Sequence, residues 1–162
     1  MVKISKIIFL DFDGVIVIQK DRFINIDPDC AKHLKRILDE TGAFIVITST
    51  WRLIHKFIEL KEMLSKHDIS KCVLGIVNRR DEEGNDHRGN EIDIWLHVNQ
   101  GRANIDVKRY VILDDEKYQL ENYLDVLVQT DSYTGMNSKH ADQAIKILNG
   151  INLEDKNAKK EM

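Results

Sequence analysis

The chain has 162 residues, of which 43% are hydrophobic, with 24 basic and 27 acidic side chains giving a net charge of -3. That length and apolar content imply one domain able to bury a core without disulfides or a structural metal, and they exclude a disordered or low-complexity chain. No apolar run approaches the ~18 residues of a membrane span, and Ile4–Leu10 is too short for a signal peptide. The charge balance argues against wrapping duplex nucleic acid, though not against gripping a single terminal phosphate. Cys30 and Cys72 are far apart and form no CxxC, and the six histidines show no zinc-ligand spacing. A cytoplasmic location is the expectation, with no membrane and no obligate protein partner.

Ile4–Leu10 is a short apolar run of the kind buried on both faces of a parallel sheet. Val15–Val17 and Phe23–Ile26 flank polar Gln19–Arg22, which predicts a hairpin flap. Pro28 opens a helix to about Glu40, with Ala31, Leu34, Ile37 and Leu38 inward and Gly42 as its stop. Ala43–Ile47 is a second apolar strand. Trp51 to Lys66 reads as a helix burying Leu53, Ile54, Phe57, Ile58 and Leu64. Cys72–Val77 is a third strand, and polar Asn78–His87 is a solvated loop. Gly89–Val98 follows as a helix with Ile92, Trp95 and Leu96 on its apolar stripe. Tyr110–Leu113 and Asp125–Gln129 complete the strands, and Lys139–Leu148 is the last helix, with Ala141, Ala144, Ile145 and Leu148 inward. Residues 1–150 form the domain, and the charged tail 151–162 is expected to fray.

Apolar strands alternating with amphipathic helices predict a three-layer α/β/α, Rossmann-like parallel sheet, in which ligands bind beyond the carboxyl ends of the strands. Asp11, Phe12, Asp13 and Gly14 follow the first strand, Thr48, Ser49 and Thr50 the second, and Asp114, Asp115 and Glu116 the fourth. One such residue after a strand is ordinarily a turn or a helix cap. Three clusters at the same sheet edge are a stronger signal. Clustered carboxylates need a cation, and hard oxygen ligands suit Mg²⁺. Hydroxyls and free N–H groups at a helix start form an anion cradle, so the pair suggests a phosphate substrate.

IIFLDFDGV resembles the first motif of the haloacid-dehalogenase-like superfamily, FIVITST its second and YVILDDE its fourth. Arg88 in HRGNEIDIWL takes the place of the third-motif basic residue, usually Lys, with Arg79 and Arg80 as competitors. LDFDGV, ITSTWR, RGNEIDIWL and TDSYTGMN are similar, more closely, to the compact domains of this superfamily associated with Swiss Army Knife RNA-repair proteins. The resemblance spans about residues 4–131 and implies a Mg²⁺-dependent phosphomonoester hydrolase. It assigns Asp11 as nucleophile forming an aspartyl phosphate, and Asp13 as general acid and base. Asp11, the Asp13 backbone carbonyl and Asp115 would hold the metal, with Asp114 behind them. Thr48, Ser49 and Arg88 would bind phosphate, and the substrate would be a large phosphorylated molecule, a nucleic-acid end or a nucleotide.

Arg52 reads equally well as a substrate contact or a solvated arginine. Trp51 and Trp95 read as packing residues sooner than as base-stacking platforms. The alternatives in function are an idle binding domain that keeps the fold, or a phosphatase of a small metabolite. Phosphoryl transfer to another acceptor needs a cap that excludes water, and the roughly 30 residues between the first two motifs leave no room for a large one. Dehalogenation does not suit so acidic an environment.

Overall fold

The computed structural model describes residues 2–78 and 87–150; Arg79, Arg80 and the tail after Gly150 lie outside them. Five parallel strands, β1 (Ile4–Leu10), β2 (Phe44–Ile47), β3 (Val73–Ile76), β4 (Ile105–Asp114) and β5 (Leu127–Gln129), form one sheet in the order β3-β2-β1-β4-β5. Four α-helices among the described residues cover it: α1 (Pro28–Thr41), α2 (Phe57–Ser65), α3 (Arg88–Asn99) and α4 (Ser138–Asn149). The fold is the expected three-layer α/β/α arrangement. No helix of the described residues is long and apolar enough to cross a membrane.

Successive strand residues point to opposite faces, which divides the core in two. Ile8, Leu10, Ile45, Ile47, Val111 and Leu113 pack with buried residues of α1, α2 and α4. Ile7, Phe9, Val46 and Ile112 pack with Ile92 and Trp95 of α3 and with Leu120. The start of α1 is fixed locally: Asp27 accepts a hydrogen bond from the Cys30 N–H at 3.0 Å, and Pro28 occupies the first turn.

Three expectations need correction. No hairpin follows β1; Val15, Ile16 and Val17 are fully buried, isolated bridges join Val17 to Asp13 and Ile26, and Gln19–Asp21 is a single 3-10 turn. This segment is tied to the loop after β5 by Gln19 N–H to Ser132 O (3.0 Å), Lys20 N–H to Tyr133 O (3.2 Å) and Met136 N–H to Val15 O (2.9 Å). The expected Trp51–Lys66 helix is two pieces, a 3-10 turn at Thr50–Leu53 and then α2. The break re-aims the chain, so Leu60 and Leu64 enter the core while Leu53, Ile54 and Ile58 are exposed. Finally, β4 begins at Ile105, because its first half carries exposed Lys108 and Arg109 and lacks the apolar signature of a central strand.

The strand order reverses at β1, with β2 and β3 on one side and β4 and β5 on the other, and such a switch opens a crevice at the strands' carboxyl ends. Leu10 pairs with Ile47 and with Leu113. The next residues on the three strands, Thr48, Asp11 and Asp114, therefore emerge side by side.

Candidate active site

Asp11 leaves β1 with its N–H donating to Leu113 O at 3.0 Å, while its Oδ1 accepts from the Phe12 N–H at 2.9 Å. Phe12 turns into the core and is fully buried, which leaves Asp11 and Asp13 on the crevice side. The Phe12 carbonyl accepts from the N–H groups of Val15, Ile16 and Val17 and curls the loop tightly. Gly14 is required here twice over: its φ is +78°, and a Cβ at this position would stand 2.2 Å from the Asp115 Oδ2. The Asp115 carboxylate thus lies directly against the residue that follows Asp13. The Gly14 carbonyl accepts from the buried Thr130 hydroxyl at 2.6 Å, so the loop after β5 braces the β1 exit.

Carboxylate oxygens of Asp11, Asp114 and Asp115 lie within 4.8 Å of one another. Asp11 and Asp114 are buried. Burial, opposed by Arg88 but reinforced by the Asp114 and Asp115 charges, pushes the Asp11 carboxyl up to about 7. Burial and the adjacent Asp114 push Asp115 up to about 6. Arg88, the first residue of α3, reaches into this cluster and donates to Asp114 Oδ2 at 2.6 Å and Asp11 Oδ2 at 3.2 Å. Burial works against the Arg88 charge, but Asp11 and Asp114 outweigh it and raise its pKa. The Arg88 N–H donates to Gln119 Oε1 at 3.0 Å, and Gly89 lets α3 approach this loop, since a Cβ there would meet Gln119 O at 2.6 Å.

Thr48, beside Asp11, donates its N–H to Leu10 O at 2.9 Å, yet its buried hydroxyl has no hydrogen-bond partner among the described residues. Ser49 is fully buried and accepts from the Trp51 N–H at 3.2 Å. Arg52, read equally as a substrate contact or a solvated arginine, is not solvated. Its guanidinium is buried and donates to Val77 O (3.0 Å), Thr48 O (2.8 Å), Ser49 O (2.9 Å) and the Glu91 carboxylate of α3. Those bonds tie the Thr48–Ser49 turn to the end of β3 and to α3. Arg52 is a brace.

Two partnerships are invisible in the sequence reading. Glu91 is buried against Arg52. Trp51, read as packing, donates its indole N–H to Asp13 Oδ1 at 3.0 Å while its ring lies 5.5 Å from that of Phe12. The Asp13 carboxylate is not part of the three-carboxylate cluster. A half-buried tryptophan needs an acceptor for its N–H, and that requirement was the available signal.

A family model described as "HAD domain in Swiss Army Knife RNA repair proteins" matches residues 7–141. The chain belongs to this family. No curated protein and no solved structure matched it. Haloacid-dehalogenase-like domains are generally hydrolases, mostly phosphatases, that typically use Mg²⁺, and the family description sets this one in RNA repair. The residues fit such a cation. Three carboxylates within 4.8 Å, two of them pushed toward protonation partly by their neighbours' charge, form an all-oxygen set that a divalent cation would relieve.

Proposed function

We propose that the protein is a Mg²⁺-dependent phosphomonoesterase acting on the terminal phosphate of a nucleic acid. The observation that carries the reading is the buried, unpartnered Thr48 hydroxyl beside the Asp11 carboxylate. An unsatisfied buried hydroxyl is costly unless a ligand completes it. Its neighbours are an arginine and a carboxylate cluster, which suits a phosphoryl group.

Asp11, Asp115 and the Asp13 carbonyl would hold Mg²⁺, with Asp114 bonded to Arg88 behind them. The cation supplies positive charge that lets an anionic nucleophile approach an anionic phosphate. An Asp11 carboxylate oxygen attacks phosphorus, and the bond from phosphorus to the leaving oxygen breaks with its electron pair on that oxygen. Asp13 gives the leaving oxygen a proton. A water then attacks the aspartyl phosphate, returns a proton to Asp13 and frees Asp11. Thr48, Ser49 and Arg88 bind the phosphoryl oxygens throughout.

The family description supports a nucleic-acid end as substrate. So does the site's surround among the described residues: no folded cap is inserted between β1 and β2, where α1 occupies the chain, and exposed Tyr118 and Tyr133 stand on the loops after β4 and β5. An open site encloses little of a small metabolite, whereas a polymer makes remote contacts that can lower the barrier. The test compares 3′- and 5′-phosphorylated oligonucleotides with sugar phosphates in Mg²⁺ and in excess chelator. Oligonucleotides should give the higher kcat/KM, and chelator should abolish both activities. Sugar phosphate turnover at ~10⁵ M⁻¹s⁻¹ with inert oligonucleotides, or full activity in chelator, overturns the reading.

A further inference from the structure

We infer that Trp51 is a positioning residue for proton transfer, fixing the orientation in which Asp13 presents its free oxygen to the substrate; this rests on the role proposed for Asp13 above. The geometry is specific. The indole Nε1 donates to Asp13 Oδ1 at 3.0 Å, and no other hydrogen bond reaches this carboxylate among the described residues. The indole ring packs against Phe12 at 5.5 Å and against His55 at 5.5 Å, and the backbone N–H of Trp51 donates to Ser49 Oγ at 3.2 Å.

Chemistry then separates the two oxygens of Asp13. An indole N–H donates and never accepts, so Oδ1 must remain an acceptor whatever else the carboxyl does. Proton exchange with the leaving oxygen, and later with water, therefore runs through Oδ2. A carboxyl on a loop can rotate, and an Asp13 turned out of this orientation aims its free oxygen and proton away from the substrate. A misplacement of about 1 Å is enough to cost ~10²-fold in rate. The same turn that presents Thr48 and Ser49 to phosphate thus also orients the proton donor, through the very next side chain but one.

The test is Trp51→Phe, which keeps an aromatic ring and removes the donor, assayed in the full chain with Mg²⁺ on aryl and alkyl phosphates of graded leaving-group basicity. The kcat/KM reports the first displacement, and a basic leaving oxygen needs a proton where a nitrophenolate does not. The expected loss is ~10²-fold for an alkyl phosphate and shrinks steadily as the leaving group improves. Asp13→Asn should show the same trend with a larger amplitude. If Asp13→Asn follows the trend and Trp51→Phe loses rate equally on all substrates, or loses none, the positioning role is wrong. If Asp13→Asn shows no trend, or the wild type is inert on every phosphate, the role given to Asp13 fails and this inference with it. A second readout needs no turnover: the Trp51 indole N–H proton resonance, assigned by its persistence in Trp95→Phe, should lie downfield and move upfield in Asp13→Ala, which removes the acceptor. An unmoved resonance overturns the hydrogen bond itself.

Discussion

Asp11 carries a conflict of charges, buried beside Asp114 and near Asp115 with Arg88 as its partner. Asp11→Asn removes the nucleophile and should abolish phosphate release by ~10³ or more, while circular dichroism shows an intact fold. Retention of near wild-type rates would refute the nucleophile. Arg88→Ala should lower kcat/KM by about 10²-fold, the weight of one charged donor at a developing oxyanion. The same change at Arg79 or Arg80 should cost less, and a larger loss at either would move the third-motif role to it. The residues flanking the strands were legible because each sits at the end of an apolar run. Trp51 and Glu91 were not, because their partners, Asp13 and Arg52, are 38 and 39 residues away and meet them only across the fold.

At the scale of elements, the turn after β2 and the start of α3 are locked together by Arg52. Three backbone carbonyls and the Glu91 carboxylate depend on this one guanidinium. Arg52→Ala removes the buried ion pair with Glu91, and breaking such a pair costs about 3–5 kcal/mol. Urea unfolding should show that loss, and Thr48 would lose its position as well. Unchanged stability with a raised KM alone would return Arg52 to the substrate. Periodicity read α1 almost to the residue, because its capping Asp27, Pro28 and Gly42 are local. It failed at Trp51–Lys66, where Leu53, Ile54 and Ile58 imitate a helical stripe. There the long-range partners of Arg52, the Val77 carbonyl and the Glu91 carboxylate, lie 25 and 39 residues away and leave no trace in the local pattern. It failed again after β1, where the pairing expected of a hairpin shrinks to the single Val17–Ile26 bridge and bonds to the loop after β5 hold the rest.

For the whole molecule, the acidic cluster couples stability to both pH and metal. Asp11 titrates near about 7 and Asp115 near about 6 in the folded chain, against 3.8 for an ordinary aspartate. Between these values the two carboxyls bind more protons in the folded state than in the unfolded state, so their contribution to stability falls as pH rises through the window from about 4 to about 7. Above it the destabilisation is complete. A divalent cation reverses the sign locally, since it binds the ionised carboxylates and must displace their protons. Saturating Mg²⁺ should therefore raise the melting temperature more at pH 8 than at pH 5. Asp11→Asn should flatten the metal-free pH slope and shrink the Mg²⁺ effect at pH 8, because one conflicting charge and one ligand are gone. Thermal melts at the two pH values, with Mg²⁺ and with chelator, check both statements. An equal Mg²⁺ shift at pH 5 and pH 8, unaffected by Asp11→Asn, would place the cation elsewhere on the molecule.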